Sequence, residues 1–239
     1  ESANIEETFL VLNGDVLTDL NVKKLVDFHK EMKGEASIHL IPVEDPSRYG
    51  VVPTDQSGRV TGFIEKPSPG ESPTNWINAG TYVLEPSVLK QIPMDQRVSV
   101  EKETFPALAA ESQLFAFQSE TYWIDTGTPA TYLQAQMDLL EGGVRGNSHK
   151  GVDPTSLING EVSESVVGAD VVIEKGARIE RSIILKGAKI EQGAIVSNSI
   201  IGFDSCIGQN AAISSLSVIG HRVQVPNGIE LNGMTMAES

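Results

Sequence analysis

A single cysteine, Cys206, stands among the 239 residues. One thiol can build neither an internal disulfide framework nor a cysteine zinc cluster, and it suits a reducing compartment such as the cytoplasm. Basic side chains are scarce too: 18 Lys and Arg face 32 Asp and Glu, a net charge of −14. Such a surface repels phosphate backbones and argues against a nucleic-acid partner. No apolar run reaches the length of a membrane span, so no membrane partner is expected. The acidic start, ESANIEE, has no apolar stretch and is not a signal peptide. It also lacks Met, so it is not expected to be the natural start of the gene product. Aromatic residues are few and unevenly spread: 12 of the 13 precede residue 143, and only Phe203 follows it. Charge divides at the same place, with net −12 over residues 1–142 and net −2 over residues 143–239. With 40% hydrophobic and 21% charged residues the chain can bury a core. Two domains of different kinds are expected, 1–142 and 143–239.

What the second half does contain is a repeat. An aliphatic residue recurs at Val167, Ile173, Ile179, Leu185, Ile190, Val196, Ile201, Ile207, Ile213, Ile219 and Val225, in eight steps of six residues and two of five. That period suits neither a helix nor a lone alternating strand. It suits a solenoid of short stacked strands, each sending one aliphatic side chain into a narrow core that has no room for rings. Residues 154–230 resemble the hexapeptide-repeat, left-handed parallel β-helix family. Many of its members are acyltransferases, which want a histidine base. His221, the only histidine in the repeats, reads better as a solvated corner residue beside Arg222. Cys206 reads as a small packed residue, with no basic neighbour in sequence to lower its pKa.

The first half alternates strand and helix patterns. Residues 9–15, FLVLNGD, are an apolar run ending in Asn-Gly-Asp, which reads as a buried parallel strand opening into a loop. Val22, Leu25, Val26, His29 and Met32 have helical spacing, closed by Gly34. Residues 36–43 form a strand, and 51–52 with 60–64 flank a polar turn and read as a hairpin. Residues 68–75 are a surface loop and 79–84 a strand. Ser99 is expected to cap a helix running toward Ala110, and 115–117 is a short strand. Thr128 and Pro129 open a last helix that Gly142 stops. The alternation implies an α/β domain with a largely parallel sheet covered on both faces. A buried strand so near the start suggests that an N-terminal part is missing.

In an open α/β sheet, ligands collect beyond the carboxyl ends of strands. Asp15 lies at such an end, after Gly14, where the backbone can approach a ligand closely. Asp125 ends Tyr122-Trp123-Ile124. Two carboxylates so placed could share one Mg²⁺ with substrate phosphates, or each could cap the helix that follows. Lys66, in Glu65-Lys66-Pro67, could meet a phosphate, and Glu65 could accept sugar hydroxyls; an ordinary charged turn would look the same. Asn78, opening Asn78-Ala79-Gly80, offers both donor and acceptor to a hydroxyl-rich ligand, or forms a turn.

Taken in order, NGD at 13–15, YGV at 49–51, EKP at 65–67, NAG at 78–80 and WIDTG at 123–127 resemble the nucleotide-sugar pyrophosphorylases. DPSRYGVV, INAGTYVLEPSVL and VSVEKETFP bring the chain nearest to the mannose-1-phosphate guanylyltransferase group, which often carries a β-helix of the same kind. The resemblance implies a Rossmann-like nucleotidyltransferase domain, N-terminally incomplete, followed by the left-handed β-helix. It implies Asp15 and Asp125 as ligands of a catalytic Mg²⁺ and Lys66 on the sugar phosphate. It implies Glu65, Asn78, Gly80 and the backbone at Gly50 on the sugar, and Asn13 and Gly14 against the nucleotide. The substrates would be a sugar-1-phosphate and a nucleoside triphosphate, here mannose-1-phosphate and GTP. The family's GxGTRLxPxTxxxPK signature is absent, and with it the triphosphate loop, so the chain alone is expected to be inactive. A regulatory homologue that binds nucleotide sugar, or a thymidylyl-, uridylyl- or adenylyltransferase, are the alternatives. The β-helix is expected to pack on the first domain and to mediate homo-oligomer contacts.

Overall fold

A computed structural model of the chain describes residues 5–93, 95–142 and 151–237. By packing, the chain divides into two compact units, residues 1–123 and 124–239. The first eight residues of the second domain expected from sequence, 143–150, lie outside the described residues.

In the first unit the strands are Phe9–Leu12 (β1), Val16–Thr18 (β2), Ala36–Pro42 (β3), Gly50–Val51 (β4), Ile64–Glu65 (β5), Trp76–Leu84 (β6) and Leu114–Gln118 (β7). The helices are Val22–Met32 (α1), Pro86–Gln91 (α2) and Phe105–Ala110 (α3). α1 begins where Asn21 accepts the Lys24 N–H at 3.2 Å, and it buries Leu25 and His29. It stops at Lys33, whose left-handed backbone (φ 55°) leads into Gly34. β6 is the central strand, with β3 on one side and β4 and β1 on the other; β5 and β7 close the two ends. Ile38, Leu40, Tyr82, Phe105, Leu108 and Leu114 fill the core beneath it.

The expectation of a largely parallel sheet is corrected. In the sheet built on β6, β3 and β7 pair in parallel, whereas the β3–β6, β4–β6, β4–β5 and β1–β6 pairs are antiparallel. A parallel pair needs a long crossover, usually helical. The chain between β3 and β6 holds a hairpin and a 3₁₀ turn at Pro46–Arg48 but no α-helix, so it returns antiparallel. β1 is not the buried parallel strand its composition suggested. Phe9 and Val11 pack on the core, while Leu10 and Leu12 stay 37% and 56% exposed. Its apolar run therefore covers one face only. Ser99 does stand at the N-cap of a helical run to Ala110, but its side chain makes no cap bond, and the first turn, Val100–Thr104, is π-helical before α3 begins.

In the second unit, helix α4 (Pro129–Leu140) starts in a capping box, where Thr128 and Thr131 satisfy each other's backbone N–H groups. The solenoid follows as three parallel columns of five short strands. One column buries Ile173, Ile190, Ile207 and Val225, the second Ile179, Val196, Ile213 and Leu231, and the third Val167, Ile184, Ile201 and Ile219. Paired residues of successive coils are mostly 17 or 18 apart, as in Ile184↔Ile201↔Ile219, so three steps of five or six residues make one coil. Each buried aliphatic contributes roughly 1.5–3 kcal/mol, which lets so thin a core hold. One repeat position is corrected: Ile184, not Leu185, points inward, and Leu185 turns out to pack with α4. Among the described residues no helix is long and apolar enough to cross a membrane.

Candidate functional site

The site in the first unit is organised by an irregularity in β6. Its register against β3 passes from Ile38↔Tyr82 to Leu40↔Asn78, so three residues of β6 stand opposite His39 alone. Gly80 takes up the excess with a left-handed backbone, φ 72°. Asn78 Oδ1 accepts the Gly80 N–H at 3.0 Å. The Ala79 carbonyl accepts the Trp123 indole N–H at 2.9 Å, and the Gly80 carbonyl accepts the Asn13 N–H at 2.8 Å. A Cβ on Gly80 would stand 2.7 Å from Asn13 Nδ2. The Asn13 side chain therefore lies directly over Gly80, and Asn13, Asn78 and Gly80 form one assembly. Tyr49 sets its ring edge-on to Trp123 at 5.8 Å and brings Gly50 alongside.

Gly50, Glu65 and Asn78 line one cleft of about 310 Å³, together with Phe63, Glu101 and Lys102. Gly50 pairs with Glu65 in the β4–β5 hairpin, and a Cβ there would press on Glu65 Oε2 at 3.3 Å. Lys66 follows with a left-handed backbone, φ 47°, unusual for a side-chain-bearing residue. Its N–H donates to the Tyr49 carbonyl at 3.1 Å, and its Nζ lies 3.9 Å from Glu65 Oε1, with both side chains exposed.

Glu101 and Lys102 were missed as site residues. They sit in the π-helical turn, which has no sequence signature, and Glu101 stands 23 residues from its partner Asn78. Asn78 Nδ2 donates to Glu101 Oε1 at 2.6 Å and to Tyr82 Oη at 2.9 Å. Tyr82 Oη lies 3.3 Å from Glu101 Oε1. Burial, with the Glu101 carboxylate beside it, pushes the Tyr82 phenol well above its usual range, so it stays protonated and can donate.

Asn13, Gly14 and Asp15 are exposed in the turn between β1 and β2, and nothing lies within 4 Å of the place a Gly14 Cβ would occupy. Strand β8, Trp123–Asp125, spans the division between the units. Asp125, in the second unit, accepts the Gly127 N–H at 2.7 Å on Oδ1, which orients its carboxylate. Asp15 belongs to the first unit. Among the described residues no group of three or more His, Cys, Asp or Glu could hold a metal by itself. In the solenoid, His221 Nδ1 accepts the Phe203 N–H at 3.0 Å. Burial and the nearby Glu191 raise the Cys206 thiol pKa, so that thiol is not activated.

The Nucleotidyl transferase family model matches residues 1–142, and the GMPPB C-terminal domain model matches residues 142–238. The mannose-1-phosphate guanylyltransferase of Mycobacterium tuberculosis is 37% identical over 191 residues, 74% of this chain and 52% of that protein. Mannose-1-phosphate guanylyltransferase 1 of Arabidopsis thaliana is 37% identical over 245 residues, 95% and 66% of the two chains. The catalytic subunit beta of the Dictyostelium discoideum enzyme is 36% identical over 248 residues, 96% and 67%. The chain thus spans about half to two thirds of the length of these relatives.

Proposed function

We propose that this chain, which belongs to the nucleotidyl transferase family, takes part in joining mannose-1-phosphate to GTP, giving GDP-mannose and pyrophosphate. The observation that carries the reading is the cleft that combines the Glu65 and Glu101 carboxylates with Lys102, beside the Lys66 ammonium. Carboxylates accept hydroxyl hydrogens and ammonium groups meet phosphate, which is the chemistry of a sugar phosphate. A phosphate oxygen of the sugar-1-phosphate attacks the α-phosphorus of GTP. The new P–O bond forms as the bond to the bridging oxygen breaks, and pyrophosphate leaves with that electron pair. No nucleophilic side chain is required. The protein's part is to align the two phosphates and to balance their charge, a role for Lys66. Glu65 and the Gly50 backbone would hold the sugar, and Asn13 and Gly14 would lie against the nucleotide.

Asp15 and Asp125 are hard oxygen donors and are proposed as Mg²⁺ ligands, since that ion is held by few carboxylates plus substrate phosphates. When bound, the metal would neutralise phosphate charge. The single thiol accords with a reducing, cytoplasmic setting. Leu157, Ile195, Phe203 and Met234, exposed on the solenoid, are proposed as homo-oligomer contacts. The decisive experiment is calorimetric titration with mannose-1-phosphate, set against glucose-1-phosphate and galactose-1-phosphate. Saturable binding that Lys66→Ala abolishes is expected. No binding of any sugar-1-phosphate would overturn the reading.

A further inference from the structure

Tyr82 has a split environment. Its ring is core, 2% exposed and packed edge-on against Phe105 at 4.9 Å. A phenylalanine ring would fill that space equally well. Its hydroxyl does something a core does not need, since its hydrogen bonds go to Asn78 and Glu101, both lining the cleft.

The donors and acceptors can be assigned without ambiguity. A carboxylate only accepts, so the Tyr82 hydrogen goes to Glu101. Tyr82 Oη accepts one Asn78 N–H, and the other goes to Glu101 Oε1. Asn78 in turn is held by the Gly80 N–H on its Oδ1. Both donors to Glu101 converge on Oε1, and Oε2 takes neither bond. A half-buried carboxylate that would otherwise turn freely is thereby fixed, with one oxygen satisfied by the protein and the other left to accept.

We infer that Glu101 is a specificity-determining acceptor for a sugar hydroxyl and that Tyr82, with Asn78, is the positioning residue that aims it. This rests on the sugar-phosphate reading of the cleft and deepens it. With Glu65 on the hairpin as a second carboxylate, the cleft selects ligands that present hydroxyl donors and disfavours those presenting carbonyls or carboxylates. In a pre-fixed acceptor the cost of ordering is met during folding rather than on binding.

The test is a double-mutant cycle on the whole chain with Tyr82→Phe and Glu101→Gln, read as mannose-1-phosphate affinity by calorimetry. Tyr82→Phe should weaken binding about 3- to 10-fold, the range for one lost hydrogen bond, with its thermal midpoint near that of the parent. Glu101→Gln should cost about tenfold or more, as a bond to a charged acceptor. In the Glu101→Gln background, Tyr82→Phe should cost less than about twofold, because the amide oxygen still takes the Tyr82 bond but an NH₂ group replaces the accepting oxygen that Tyr82 aims at the ligand. Among deoxy analogues of mannose-1-phosphate, one should bind the parent and Glu101→Gln alike, which identifies the hydroxyl concerned. Equal losses from Tyr82→Phe in both backgrounds, or no loss at all, would overturn the inference while the sugar-phosphate reading stands. A parent chain that binds no sugar-1-phosphate would overturn that reading, and this inference with it.

Discussion

His39 makes the first unit sensitive to acid. It lies fully buried on β3, with Nε2 2.7 Å from Ser119 Oγ and Nδ1 without a hydrogen-bond partner. Charging the ring there strips an imidazolium of water, so burial lowers its pKa from 6.5 to about 4. The unfolded chain takes up this proton near pH 6.5, whereas the folded chain waits until about pH 4. Between those values the unfolded state holds more protons, so folding stability falls as the pH falls. Above pH 6.5 the group has no effect; below about 4 the loss is complete. A span of about 2.5 pH units, at about 1.4 kcal/mol each, gives a loss of about 3.5 kcal/mol. His39→Leu removes the titration and strands no partner, because Ser119 Oγ keeps Thr121 at 3.1 Å. Urea unfolding at pH 7, 5.5 and 4.5 would measure both proteins. Both tryptophans, Trp76 and Trp123, lie in the first unit, so their fluorescence reports that unit without the solenoid. The parent should lose about 2–3 kcal/mol more than His39→Leu on going from pH 7 to 4.5. Equal losses would refute the claim that burial keeps this ring neutral.

Other expectations concern the site and the solenoid surface. Gly80→Ala must place a Cβ 2.7 Å from Asn13 Nδ2 on a left-handed backbone. It should cost about 1–3 kcal/mol by the same fluorescence measurement, and a cost below about 0.5 kcal/mol would contradict the packing described. Lys66→Gly removes an ammonium from a residue whose φ of 47° suits glycine. Folding stability should stay within about 1 kcal/mol while mannose-1-phosphate affinity falls at least about tenfold; parallel losses of both would make Lys66 structural. Ile195→Glu puts a charge on a side chain 44% exposed on the solenoid. Light scattering should then show a smaller particle than the parent, and an unchanged mass would remove Ile195 from any subunit contact.

What the sequence made legible follows from how locally each feature is determined. The solenoid is a period repeated many times, so a single ambiguous step did little harm. Its one misplaced position arose where three aliphatics, Ile183, Ile184 and Leu185, stand in a row. Period alone cannot choose among them; the parallel register Ile184↔Ile201 does. Strand direction in the first unit was not legible, because an apolar run has the same composition whichever way its neighbour runs. Gly50 and Glu65 could be anticipated around one hairpin, and they do meet in it. Glu101 lies within the VSVEKETFP motif, but its place in the cleft could not be anticipated, since nothing local announces a π-helical turn and its contacts with Asn78 and Tyr82 are made across the fold.

Helix α4 shows the same limit at the scale of domains. Sequence placed it in the first domain, because Gly142 stops it and the aliphatic repeat begins later. The family model also extends through residue 142. Yet its buried side chains, Leu133 and Met137, pack against Ile183 and Ile200 of the solenoid. Those two residues come just before the inward-facing Ile184 and Ile201, so they stand on the outer face of the same strands. Side chains alternate along a strand, and a repeat read through its inward positions says nothing about the outward ones. Outward isoleucines two coils deep would leave an apolar stripe in water unless something covered it. Within the second unit α4 is that cover, with Leu140 and Leu185 completing the cluster. The solenoid core and the α4 cluster are therefore two faces of one set of strands, joined through the dipeptides Ile183-Ile184 and Ile200-Ile201.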